Sequence, residues 1–390
     1  MTTEDETGDR STPRTAPHVN IPAAIDELSR LCGAVRRRIR IMEVCGTHTV
    51  SFFRSGLRSL LPANLHLLSG PGCPVCVTPQ RHIDAALDLA ARPEVIIATY
   101  GDMLRVPGER GSLERLRAAG ASIHVVSSAR AALDLARRHP RREVVFLGVG
   151  FETTAPATAA VVLEAEAQAI PNFSVLMSHK RVIPAMRALL DAGDVPLDGF
   201  LCPGHVSVII GARAFEPLVT EFRKPCVVAG FEPEQMLTGL LHLVRQVIDG
   251  RPRLENVYAA AVSDLGNPVA QALLERVFTV SDTPWRALGQ IPAGGYELAP
   301  PYTRFDAVKR FNLDPGPDRD HPACRCGEVI CGRIDPHECS LFDHGCDPLH
   351  PLGPCMVSSE GTCAAWHRFR RRRPAVIGAP IACNTGGGGP

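Results

Sequence analysis

Nine short apolar runs, each separated from the next by a segment of helical periodicity, constrain this chain more than any other feature. They are IRIMEV (39–44), LHLLSG (65–70), EVIIATY (94–100), SIHVV (122–126), EVVFLGVG (143–150), FSVLMS (173–178), GFLCPG (199–204), PCVVAGF (225–231) and VYAAAV (257–262). Runs that are apolar throughout, rather than alternating with polar residues, belong to strands buried on both faces. Intervening helices supply the cover and the crossover for parallel pairing. Helices are expected near 22–38, 50–61, 81–92, 112–119, 128–138, 155–169, 183–191, 212–222, 233–249 and 268–279. The expected fold class is therefore α/β, and nine strands suit two parallel sheets better than one. A Gly-Phe-Glu triplet follows an apolar run at both Gly150–Glu152 and Gly230–Glu232, which hints at two related halves.

At 390 residues the chain is long enough for two or three domains. Residues 1–20 are polar and predicted to be disordered. One α/β domain is expected over 21–140 and a second over 141–310. From 311 to 373 the composition turns to Pro, Gly, Cys and His, as in a small domain held together by a cofactor. Residues 374–390 read as a flexible tail. The formal charge of +1 gives no overall attraction to nucleic acid or anionic lipid. No apolar run reaches a membrane-spanning length, and the polar start has no apolar leader segment, so the expected location is the cytoplasm.

In that setting 14 cysteines argue for metal or redox chemistry rather than a disulfide framework. In MEVCGTHTVSFF a strand ends at Val44, and Cys45 and His48 fall in the strand-to-helix turn. That turn faces the ligand crevice of a parallel sheet, so both side chains can reach one small ligand. A buried cysteine ahead of a helix is the plainer alternative. In SGPGCPVCVTP the prolines at 71, 74 and 79 forbid a continuing helix and hold Cys73 and Cys76 in a stiff loop. Such a pair chelates a metal or closes into a disulfide. No second pair with zinc-like spacing lies nearby.

Seven more thiols lie between Cys324 and Cys363, spread through Gly/Pro loops. Packing does not explain them, whereas an iron–sulfur cluster or a multiple zinc site does. Cys324, Cys339, Cys346 and Cys363 offer four ligands, with Cys326 and Cys355 left as a candidate redox pair. Spacing alone does not choose these four over a set containing Cys331. The turns GVGFETTAP and CPGHVSVIIG carry Glu152 and His205, either acid/base groups facing a cleft or ordinary tight turns. Neither contains a phosphate loop. Arg368–Arg373 reads as a solvated face, and Cys32, Cys202 and Cys226 as structural thiols.

Together CGTHT (45–49), GPGCPVC (70–76) and the stretch CRCGE…GPCMVSSEGTC (324–363) resemble the HypD family of hydrogenase maturation factors, with GFETTAP and CPGHVS in the same order. The likeness spans about residues 22–370. It implies two related α/β domains and a C-terminal 4Fe-4S domain. The implied role is a scaffold on which, with the chaperone HypC, the Fe(CN)2CO fragment of nickel–iron hydrogenase is assembled, cyanide arriving from HypE with HypF. By the same resemblance Cys45 is an iron ligand with His48 beside it, and Cys73 and Cys76 are the neighbouring thiol pair. Cys324, Cys339, Cys346 and Cys363 hold the cluster, and Cys326 and Cys355 form a redox pair close to it. Cys331 has no role in this pattern. The rival expectation is a 4Fe-4S-dependent thiol–disulfide oxidoreductase acting on a protein disulfide.

Overall fold

The computed structural model describes residues 19–314 and 316–369. The expectations for residues 1–18 and for the tail, Cys383 included, lie outside that range. Asn20, expected in the disordered segment, instead caps the first helix by accepting the Ala23 N–H at 3.1 Å.

Eleven strands run through these residues: β1 (Ile39–Glu43), β2 (Leu65–Ser69), β3 (Val95–Thr99), β4 (Ile123–Val125), β5 (Glu143–Gly150), β6 (Phe173–His179), β7 (Gly199–Pro203), β8 (Cys226–Ala229), β9 (Leu254–Asn256), β10 (Phe278–Trp285) and β11 (Gly289–Leu298). The first nine form two sheets in which every pair is parallel, ordered β2-β1-β7-β8-β9 and β4-β3-β5-β6. The ninth strand is 254–256 and not 257–262. Asn256 ends it, its side chain accepting the Tyr258 N–H and donating to the Val262 carbonyl, which folds the expected run into a turn.

The expected boundary at 140/141 does not follow the sheets. β1 and β2 pair into the sheet completed by β7–β9, while β3 and β4 belong with β5 and β6. A crossover helix can return a parallel strand to either edge of a sheet, so order along the chain does not dictate order across it. The chain thus leaves the first sheet after β2, builds the second, and comes back through β7. The antiparallel hairpin β10–β11, with a register irregularity between Ser281 and Thr283, was not expected from a stretch rich in Gly and Pro.

Three groups of buried apolar side chains hold these layers. One lies on the outer face of each sheet, and the largest takes in Met42, Leu68, Ile97, Leu147 and Val228 from both. Val329, Ile330 and Met356 of the cysteine-rich segment join that central group. The segment's apolar side chains therefore share the core of the two sheets. Among the described residues no helix is long and apolar enough to cross a membrane.

Candidate functional site

The site begins where β1 and β2 end side by side. Their register pairs Glu43 with Ser69, so the two following turns, Cys45–Thr49 and Gly70–Cys76, start as neighbours. The Gly46 N–H donates to the Gly72 carbonyl at 3.3 Å and the Gly70 N–H to the Glu43 carbonyl at 2.7 Å. A Cβ on Gly72 would fall 2.3 Å from the Cys45 nitrogen, so the two turns nest only because residue 72 is glycine. Cys45 is the residue before helix Gly46–Arg54, and Cys73 precedes the one-turn helix Pro74–Val77. Cys73 and Cys76 are joined by a disulfide with their Cα atoms 5.3 Å apart. Sheet pairing thus brings together Cys45, His48, Cys73 and Cys76.

Glu43 braces this junction from below. One carboxylate oxygen accepts the Cys45 N–H at 3.1 Å and the other the Thr49 hydroxyl, and burial raises the group to about 7. Burial, together with the negative Glu360, pushes the Cys45 thiol up to about 12, against the pull of the His48 and Thr47 N–H groups. His48 is fully buried. Its Nε2 lies 2.9 Å from the Gly230 carbonyl, so that nitrogen carries the proton. Its Nδ1 is buried with no hydrogen-bond partner among the described residues. Burial holds the ring near 4, hence neutral at physiological pH. A neutral imidazole fixed through one nitrogen and offering a lone pair on the other is the form that binds metals. Phe231 stacks between His48, at 4.6 Å between centroids, and the exposed His205, at 4.0 Å.

The cysteine-rich segment reaches this junction through residues 358–360. Thr47 donates its hydroxyl to Glu360 at 2.7 Å, and the Glu360 backbone lies against Gly46. Ser358 and Ser359 donate to Asp102 at the end of the other sheet, at 3.0 and 2.8 Å. Helix Pro354–Val357, which carries Cys355, packs against helix Pro74–Val77, which carries Cys76.

Beyond it, Cys324, Cys326, Cys339, Cys346 and Cys363 line one apolar hollow with Val329, Leu341, Phe342 and Met356. The expected ligand set is therefore gathered, with Cys326 added to it. Cys355 does not line the hollow; its sulfur accepts the Cys363 N–H at 3.3 Å. The nearest thiol partner of Cys326 is Cys324, and that of Cys355 is Cys363, while Cys326 and Cys355 feel each other's charge at longer range. A hydrogen bond from Cys326, with the positive Arg286 nearby, brings Cys324 down to about 7. Cys331 is buried away from the hollow, and burial raises it to about 11. Among the described residues no group of three or more His, Cys, Asp or Glu is placed to hold a single metal ion.

Several contributors escaped sequence reasoning. Glu43 was legible as the one acid in the buried run IRIMEV, and Phe231 sits inside a triplet noticed for its glutamate. Arg286 had no signal: it is buried and donates to the Thr78 carbonyl at 2.9 Å and to Gln80 at 3.1 Å, fixing the exit of the disulfide loop. Glu152 faces no cleft. It is buried at the start of helix Val182–Ala192, accepting the Val182 N–H at 3.0 Å.

Fold and site together define a class: a two-sheet α/β protein whose carboxyl-end crevice carries a thiol, an imidazole and a disulfide, backed by a thiol-lined hollow. Over residues 20–370 the chain matches the HypD family model, described as "Hydrogenase formation hypA family". It is 46% identical over 348 residues to the hydrogenase maturation factor HypD of Escherichia coli (strain K12), covering 89% of this chain and 93% of that protein. It is also 46% identical over 348 residues to the hydrogenase expression/formation protein HupD of Azotobacter chroococcum mcd 1, covering 87% and 92%. The chain belongs to the HypD family of hydrogenase maturation factors.

Proposed function

We propose that this protein is the scaffold and electron source on which the Fe(CN)2CO group of nickel–iron hydrogenase is assembled, working with HypC and receiving cyanide from HypE. The observation that carries this reading is the convergence of three motifs distant in sequence on one junction, where Cys45, His48 and the Cys73–Cys76 disulfide meet the 358–360 strap. Cyanide and CO favour low-valent, low-spin iron, and soft thiolate is the matching protein ligand. Cys45, with a thiol of HypC, and the Nδ1 lone pair of His48 are the groups that would hold that iron. Binding would take the proton that burial keeps on Cys45.

The hollow fits a 4Fe-4S cluster better than a single ion. Its lining is apolar, its donors are all sulfur, and in such a cluster each thiolate serves a different iron. Cys339, Cys346 and Cys363 with Cys324 or Cys326 would hold it, and the cluster would supply electrons one at a time. From there Cys355 leads across packed helices toward Cys73–Cys76, whose sulfurs take two electrons and two protons on reduction. The cytoplasm, which keeps such pairs reducible, is the fitting location.

The deciding experiment is anaerobic copurification with HypC followed by infrared spectroscopy. Bands in the CN and CO stretching region, lost in Cys45→Ala, are expected, and their absence from the wild-type complex overturns the reading. A second reading, a cluster-dependent thiol–disulfide oxidoreductase, is favoured by the disulfide itself. It predicts that Cys45→Ala keeps full disulfide-reducing activity.

A further inference from the structure

Of the 42 basic residues only three are lysines, at 180, 224 and 309. Two of the three, Lys180 and Lys309, line one cavity of about 280 Å³ at the carboxyl end of β6. Lys180 is 3% exposed, and its ammonium donates to the Pro284 carbonyl at 2.8 Å. Among the described residues no carboxylate lies within 4.0 Å of it. A buried cation with one neutral partner is costly unless a counter-charge joins it. Burial, with the positive Arg81 adding to it, lowers Lys180 to about 7, although Asp318, beyond ion-pair distance, pulls the other way. The same wall holds four more buried polar atoms without partners among the described residues: Ser178 Oγ, His179 Nδ1, Thr283 Oγ1 and His82 Nε2.

We propose that this cavity binds a small organic monocarboxylate, its carboxylate on Lys180 Nζ and its apolar body against Leu176, Met177 and Tyr296. The lining carries no excess positive charge, which disfavours a dianion more than a monoanion paired locally with Lys180. Arg81 and Lys309 set two positive charges against the three negative ones of Asp282, Glu297 and Asp306, and Lys180 brings the sum to zero. A phosphate dianion would face those three acids with one buried ammonium to hold it, whereas a monocarboxylate offers one charge and an apolar remainder. Arg81 and His82 open the helix that follows the disulfide loop, so an occupant would brace that helix. The proposal does not depend on the hydrogenase reading.

The scarcity of lysine makes the test clean. The full chain is reductively methylated with formaldehyde and cyanoborohydride, and each lysine is followed by peptide mass spectrometry, with butyrate or inorganic phosphate at equal ionic strength. At ten times the half-protecting concentration, butyrate should slow Lys180 labelling about tenfold, leave Lys224 unaffected and raise Tm. The rise in Tm should vanish in Lys180→Met, and phosphate should do neither. Equal labelling of Lys180 with and without butyrate overturns the proposal, as does phosphate protecting equally well or a Tm rise that persists in the variant. Should Lys180→Met not fold, labelling of the wild-type chain decides alone.

Discussion

Cys45 and Cys324 carry the same side chain, yet their surroundings push the two thiols in opposite directions. Cys45 lies buried above Glu43 and beside Glu360, and its thiol rises to about 12. Cys324 stands at the edge of the hollow, with Cys326 donating to it and Arg286 nearby, and falls to about 7. A protonated thiol is inert until a cation displaces its proton, whereas a thiolate reacts and ligates at once. The difference teaches that burial and local charge, rather than different residue types, set one thiol to stay protonated and the other to ionise.

Alkylation breaks or sharpens this contrast most directly. In metal-free protein at pH 7 Cys324, lowered by Cys326 and Arg286, should ionise far more than the buried Cys45, so iodoacetamide should modify Cys324 faster by at least about a hundredfold. Comparable rates, read by peptide mass spectrometry, would erase the distinction. Next, Cys45→Ala should lose iron and HypC together while its absorption near the sulfur-to-iron charge-transfer bands stays intact. Loss of both would mean the two places are one.

Gly72→Ala forces a Cβ onto the Cys45 nitrogen and should cost roughly 3 kcal/mol in urea unfolding, with Cys45 becoming more open to alkylation. Glu152 offers a control that is not itself a thiol. Its carboxyl, raised by burial to about 7, keeps a proton in the folded state that the unfolded state releases near pH 4.5. Stability should therefore fall as pH rises from about 4.5 to 7, by up to about 3 kcal/mol, and Glu152→Gln should remove that slope. The smallest change is Ser358→Ala, which loses a hydrogen bond to Asp102 and should cost about 1 kcal/mol.

Most of the strands were legible because a strand buried on both faces reads as an unbroken apolar run, as EVVFLGVG does for β5. Cysteines at turns after such runs marked the site for the same reason, since the carboxyl ends of parallel strands open onto a crevice. What the sequence could not convey was association across the chain. Nothing local in IRIMEV says that its partners include GFLCPG, some 160 residues away. The sheets therefore do not follow the expected division at 140/141. The hairpin of Phe278–Leu298 was missed because Pro284 and glycines at 289, 294 and 295 mimic loop composition. Arg286 was invisible for a related reason: its partners are the Thr78 carbonyl, a glutamine some 206 residues earlier and Asp320, and no pattern announces those.

Because the chain leaves the first sheet and returns to it, two tethers join the sheets: residues 70–94 and 180–198. Any opening or closing of one sheet against the other has to be absorbed in those stretches. The first contains the Cys73–Cys76 ring, which lies against Cys45 through the nested Gly72 turn. Reduction of that ring, which takes two electrons and two protons, would loosen the tether next to Cys45.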